Sequence, residues 1–157
     1  MKLTTRQDIE APLAFVHEVL TDFDGWERAA MRRGADVTRT DTLSRPGIGM
    51  SWQSSFKFRG KERNIHLALK DWDAPGRLGF DGGSTAIGGN AVLDLIEMSA
   101  NHTRLHVGLE VTPKTMGARL FLQSMRLARG RMDRHFDQRV AQMAAEIENR
   151  YRASQRR

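Results

Sequence analysis

The stretch TRLHVGLEVTPKTMGARLFLQSMRLARGRMDRHFDQRVAQMAAEIENRY, residues Thr103–Tyr151, holds two different periodicities. It opens on an alternation. Leu105, Val107, Leu109 and Val111 share one side, and Arg104, His106, Gly108 and Glu110 the other. A period of two marks a strand with one buried face. The period then lengthens. Met125, Met132, Phe136, Val140, Met143 and Ile147 step by seven, four, four, three and four residues, which draws one apolar stripe along an α-helix. Thr112-Pro113 stands between the two patterns. A threonine hydroxyl can cap a helix, and a proline suits the first turn because its missing N–H would be unpaired there anyway. The spacing predicts a helix from this point to Tyr151.

The preceding residues alternate in the same way. Lys2–Ile9 places Leu3, Thr5, Gln7 and Ile9 on one side. Ala11-Pro12 then starts a short helix carrying Phe15, Val16, Val19 and Leu20. A second short helix is expected over Gly25–Arg33, with Asp24 as N-cap and Gly34 as stop. The middle is strand-like throughout. Ala35–Thr42 is rich in Thr and Val, and Gly49–Phe58 alternates Met50, Trp52, Ser54, Phe56 and Phe58 against polar neighbours. Arg59-Gly60-Lys61 reads as a hairpin turn, after which Ile65, Leu67 and Leu69 face one way. Ala74-Pro75-Gly76 breaks the chain before a short strand with Leu78 and Phe80. Residues 91–98 put Leu93 and Leu95 on one face, and Asn101-His102 turns into the strand quoted first.

Sequential strands joined by short turns imply an antiparallel sheet, and one apolar face per strand implies cover on one side only. The long helix carries the matching stripe. The fold class is therefore α+β: a curved antiparallel sheet of about seven strands wrapped round a long C-terminal helix, with two short helices after the first strand. The chain of 157 residues suits one domain, 1–157. Charged residues are 28% and mean hydropathy is −0.53, and no apolar run is long enough to span a bilayer. The first residues alternate and do not form a signal peptide's apolar core. Cysteine is absent, which excludes disulfides, thiolate nucleophiles and Cys-ligated metal. A reducing, cytoplasmic setting is expected.

The net charge of +6 is unevenly placed. Residues 1–113 hold 14 Lys/Arg against 15 Asp/Glu, and residues 114–157 hold 11 against 4, a net of +7. A solvated helix face explains this, and so does contact with RNA, a ribosome or an anionic membrane. The arginines lack the interleaved exposed aromatics of a single-strand binder, so nucleic acid is not the expected partner.

The element order resembles the helix-grip fold of the START-like, or SRPBCC, superfamily, which includes Bet v 1-like proteins, polyketide cyclases and lipid-transfer domains. Four local features carry the likeness: Ile9-Glu10-Ala11-Pro12 at the first strand's exit, Asp22 through Trp26, Thr103-Arg104-Leu105 opening the last strand, and Val111-Thr112-Pro113-Lys114-Thr115 leading to the terminal helix. The resemblance implies a deep apolar cavity between sheet and helix, used by members to bind lipids, sterols, polyketides or other apolar molecules and by some for catalysis. That superfamily shares no universal catalytic residues, so it assigns none here.

The expected cavity wall comprises Trp52, Phe56, Phe58, Ile65, Leu67, Leu69, Leu93, Leu95, Leu105, Val107 and Leu109 from the strands, with Met125, Met132 and Phe136 from the helix. Taken singly each is an ordinary core residue; as a set they suit an apolar ligand site. Arg129 falls inside the apolar stripe. Either it reaches into the cavity toward a carboxylate, with Asp71 and Glu97 on inward parities, or Gly130 breaks the helical phase and the arginine reaches solvent. Asp71, Asn90, Glu97 and Arg129 are the polar candidates should the cavity be catalytic. Met116, Leu120 and Leu127 form a second apolar line, read as packing against loops, a homodimer contact or an entrance lid. The histidines are too far apart or on the wrong faces to chelate, so no metal and no cofactor are expected. The glycine-rich stretch 82–89 lacks a phosphate-loop lysine and reads as a mobile hairpin near the mouth. The favoured function is a carrier or sensor of a small apolar molecule; the alternative is a polyketide cyclase- or dehydratase-like enzyme in the same cavity.

Overall fold

A computed structural model describes residues 1–157. Seven strands form one antiparallel sheet: β1 (Lys2–Ile9), β2 (Asp36–Arg39), β3 (Ser51–Phe58), β4 (Lys61–Asp73), β5 (Arg77–Gly83), β6 (Ile87–Ser99) and β7 (His102–Pro113). Their spatial order is β1-β7-β6-β5-β4-β3-β2. Five successive hairpin neighbours, β3 to β7, follow from the short turns, and β1 closes the far side of β7. The short helices α1 (Leu13–Leu20) and α2 (Phe23–Arg32) come between β1 and β2.

The terminal helix differs from its expected start. β7 continues through Thr112 and Pro113, which pair with Gly88 and Ile87 across the ladder. The N-cap is Thr115, whose hydroxyl accepts the Ala118 N–H at 3.1 Å. Pro113 ends a strand here, where its missing N–H falls at the ladder's last pair. The helix is also not one rod. It comprises α3 (Met116–Ser124), a single 3-10 turn at Met125–Ala128, and α4 (Arg129–Gln155). That turn tightens the winding and resets the phase on which Arg129 had been placed. Similarly, α2 is capped by Asp22, which accepts the Gly25 N–H at 3.1 Å, and not by Asp24.

Residues paired across a ladder share a face, so the register assigns the inner side. Leu3, Thr5 and Ile9 of β1 are buried, and their partners Leu109, Val107 and Thr103 define the inner face of β7. Through β6 and β5 this face continues to Ala91, Leu93 and Leu95, then Leu78, Phe80 and Gly82. On β4 and β3 it holds Leu67, Leu69, Trp52, Phe56 and Phe58. The expected strand parities hold at all of these positions. α4 runs alongside β1: Arg129 donates to the Lys2 carbonyl at one end, and the Glu10 N–H donates to Glu148 at 2.8 Å at the other.

Packing is uneven along the strands. Call lower the end where β1 meets α1. There Ile9, Val16, Leu20, Leu69, Leu78, Leu105 and Ile147 are almost wholly buried. Thr103 is buried with them, and its hydroxyl donates to the Ala11 carbonyl at 2.8 Å, tying β7 to the entry of α1. A buried hydroxyl needs such a partner. Toward the upper end of β3 to β6 no inner-face residue is fully buried.

Candidate functional site

One irregularity decides which polar residues face inward. Between Leu69 and Asp71 the β4–β5 register shifts by a bulge. The extra residue reverses the parity beyond it. Trp72, paired with Leu78, therefore turns inward, and Asp71, paired with Gly79, turns outward. Asp71 meets Arg77 at 3.1 Å, and Arg77 also reaches Asp94 at 3.5 Å, forming an exposed outer-face network.

The remaining polar candidates also stand away from the apolar upper part of the inner face. Asn90 pairs with Asp81 and Glu110 on the outer side. Glu97 keeps its inward parity opposite Thr103 but lies exposed near the strand's lower end, beyond the last rung shared with β5. Arg129 binds Asp133 one turn along at 3.1 Å and the Lys2 carbonyl of β1. Its guanidinium thus satisfies groups at the half-exposed helix–strand seam, which fits the second of the two readings of Arg129, although the winding changes at Met125–Ala128 and not at Gly130. Asp71, Asn90, Glu97 and Arg129 form no cluster.

The apolar residues do come together. Phe56, Ile65, Phe80, Ala91, Leu93 and Leu109 line the upper inner face and are only half-buried, while Leu67 and Phe58 are exposed. Gly82 and Gly89 pair with each other in the middle of this face, so no side chain rises between the walls there. A Cβ on Gly82 would stand 2.6 Å from the His66 carbonyl oxygen, so the close strand approach itself calls for glycine. Met125, Met132 and Phe136, half-buried, belong to the helical side. The result is an open trough. Its upper rim is bridged where the Arg59 guanidinium lies 5.5 Å from the Phe58 ring and 5.8 Å from that of Phe121 on α3.

Of the expected wall residues, Trp52, Leu69, Leu95, Leu105 and Val107 belong to the packed lower end. They form the floor. Trp52 and Trp72 both pack on Phe23, with ring centroids 5.7 Å apart in each pair. Their indole N–H groups find partners that periodicity could not reveal. Trp52 donates to Glu27 at 2.8 Å, and Trp72 donates to His17 Nε2 at 3.0 Å. His17 therefore accepts as a neutral imidazole, and burial lowers its pKa below the usual value. Beside Trp52, Arg39 grips Asp41 through two bonds of 2.7 and 2.6 Å. The Arg39 hydrogen bonds, then the Ser51 and Leu43 N–H groups, hold the Asp41 carboxyl far below the ordinary carboxylate range. Arg39 lies 5.7 Å from the Trp52 ring centre and braces the floor from the β2 side.

A separate concavity of about 700 Å³ opens between α2 and α4. None of the residues expected to line a ligand cavity borders it. Met116, Leu120 and Leu127 are exposed, Leu127 at 99%, so this line does not pack against loops of its own chain. No three His, Asp or Glu side chains stand together as a metal site. No helix is long and apolar enough to cross a membrane. Stretch 82–89 spans the β5–β6 hairpin, in which the Ser84 hydroxyl accepts the Ala86 and Ile87 N–H groups.

No family model and no curated protein matches the sequence. Solved structures do match. The Zhui aromatase/cyclase from Streptomyces sp. R1128 superposes with a TM-score of 0.70, covering 98% of this chain and 97% of that one at 14% identity. The protein has the helix-grip fold. Two further helix-grip structures align over most of their length. Ara h 8.0201 gives 0.63 over 98% of each chain at 11% identity. A START superfamily protein from Mycobacterium smegmatis gives 0.55 over 85% of this chain and 95% of that one at 12% identity. Identities this low carry the helix-grip architecture and no residue's role.

Proposed function

We propose that the protein binds a small apolar molecule, lipid-, polyketide- or aromatic-like, in the trough between sheet and C-terminal helices, as a carrier or sensor. The observation that carries this reading is the inner face of β3 to β6. Large apolar side chains point toward the helical side there and are left partly in water. Each Å² of that surface covered by a guest is worth about 25 cal/mol. A face so composed is a ligand site in waiting, with few polar groups to dictate which guest enters. The likeness to an aromatase/cyclase and to a START superfamily protein supports the same reading.

The cyclase- or dehydratase-like alternative loses the polar residues on which it rested, since Asp71, Asn90, Glu97 and Arg129 are dispersed outside the trough. The exposed line of Met116, Leu120 and Leu127 suits a homodimer contact or an entrance lid, and the mass in solution separates the two.

Ala91 is the natural test position. It is half-buried on the inner face between Phe80 and Leu109. Ala91→Phe should fill the trough and abolish binding of an apolar fluorescent probe while far-UV circular dichroism stays unchanged. Native mass spectrometry of gently purified wild type should show a bound apolar molecule. Equal probe binding by the variant, or none by wild type, would defeat the proposal.

A further inference from the structure

The cleft between α2 and α4 has a composition unlike the trough. Val19, Ala29, Ala30, Val140, Met143 and Ile147 give it an apolar floor. Arg28, Arg32 and Arg33 of α2 face Arg139 and Arg150 of α4 around that floor. Two acids border it, and both are engaged. Asp22 caps α2 through the Gly25 N–H, and Glu146 accepts from Arg150 at 2.7 Å. Arg28, Arg32, Arg33 and Arg139 have no carboxylate within ion-pair distance. Arg32 and Arg33 close α2, where a cation complements the helix dipole. Arg28 and Arg139 sit inside their helices and have no such role.

Unpaired guanidinium groups on two facing walls repel each other, and an anion between them relieves that repulsion. The guanidinium fork matches carboxylate and phosphate oxygens in pairs. An apolar floor beneath a cationic rim calls for a guest with both characters. At about 700 Å³ the cleft is within the size range of small-molecule sites. We propose that this cleft is a second binding site, separate from the trough, for a single-chain amphiphile with an anionic carboxylate or phosphate head. The tail lies on Val19, Ala29, Val140 and Met143, and Arg28 and Arg139 hold the head.

The test is calorimetric titration of the full chain with dodecanoate and with dodecyl phosphate, each kept monomeric, beside dodecanol and inorganic phosphate. Titrations run in wild type and in Ala91→Phe, so that a guest in the trough is told apart from one in the cleft. The expected result is one dodecyl anion bound per chain in Ala91→Phe, with dodecanol and inorganic phosphate both weak. The stronger of the two anions identifies the head. Arg28→Gln with Arg139→Gln should weaken that binding by about tenfold for each guanidinium removed, the size of one charge-assisted hydrogen bond. The proposal is overturned by unchanged affinity in the double variant, by dodecanol binding as tightly as the anions in Ala91→Phe, or by loss of all binding in Ala91→Phe. It is equally overturned if the protein binds anionic vesicles but neither monomeric anion, which would make the rim a membrane-facing patch.

Discussion

The lower and upper ends of the same sheet are built from the same kinds of residue, yet one is solid and the other hollow. Leu69 on β4 and Leu78 on β5 are 0% and 2% exposed, whereas Leu67, two residues from Leu69 on the same face, is 38% exposed. The difference lies in what covers them. At the lower end α1 and α2 bring Val16, Leu20 and Phe23 under the strands, and α4 adds Val140, Ala144 and Ile147. At the upper end α4 runs along β1 and α3 meets the β3–β4 turn through Arg59, so neither fills the space above β4 and β5. Hydrophobicity sets a residue's face, and the position of the covering layer sets whether that face stays dry.

The strongest way to break this contrast is a pair of truncations. Leu69→Ala should cost about 3 kcal/mol, because a fully enclosed site cannot collapse around the lost atoms. Phe80→Ala, although it removes a larger group, should cost only about 1 kcal/mol, since part of that ring is already in water. Chemical denaturation of both variants reads the difference, and equal losses would mean the trough closes in solution. A smaller effect is expected at Thr103. Thr103→Val keeps the shape but leaves the Ala11 carbonyl without its donor, for a loss of about 1–2 kcal/mol in the same measurement. A loss near zero would show that water reaches the lower end too.

The smallest effect concerns the boundary between the two ends. His17 is held neutral by burial, and its folded pKa lies below the unfolded value of 6.5. The unfolded chain therefore takes up the proton first as pH falls. Stability should be full above the unfolded value and decline as pH drops below 6.5 toward the folded pKa. Protonation also removes the acceptor of the Trp72 indole. Thermal melts across this window should show the decline, and His17→Gln should flatten it. An unchanged slope in the variant would assign the effect to other groups.

Much of the architecture was legible because it is written in short periods. Two-residue alternation placed Trp52, Phe56, Leu67, Leu93, Leu105 and Leu109 on the inner face, and all six lie there. The helical steps from Met132 to Ile147 likewise fall on the covered side of α4. Asp71 was less legible because its face depended on parity carried past an irregularity. One inserted residue sends Asp71 outward and Trp72 inward; only the broken alternation Leu67, Leu69, Trp72 hints at it. For Arg129 the helical steps left two directions open, and a 3-10 turn that shifts the phase just before it takes the side chain to the seam with β1. His17, Glu27 and Arg39 gave no periodic signal. Their roles arise from partners distant in sequence, 55 residues away for the His17–Trp72 bond and 25 for the Glu27–Trp52 bond.

Local patterning alone determined that this chain makes a one-sided antiparallel sheet and an amphipathic helix to lie against it, because each pattern needs only neighbours a few residues apart. Tertiary structure alone decided how far that helix stands from the strands, where α2 leaves a gap beside it, and which arginines go without partners. Those are distances between separate surfaces, and no spacing within a single element encodes them.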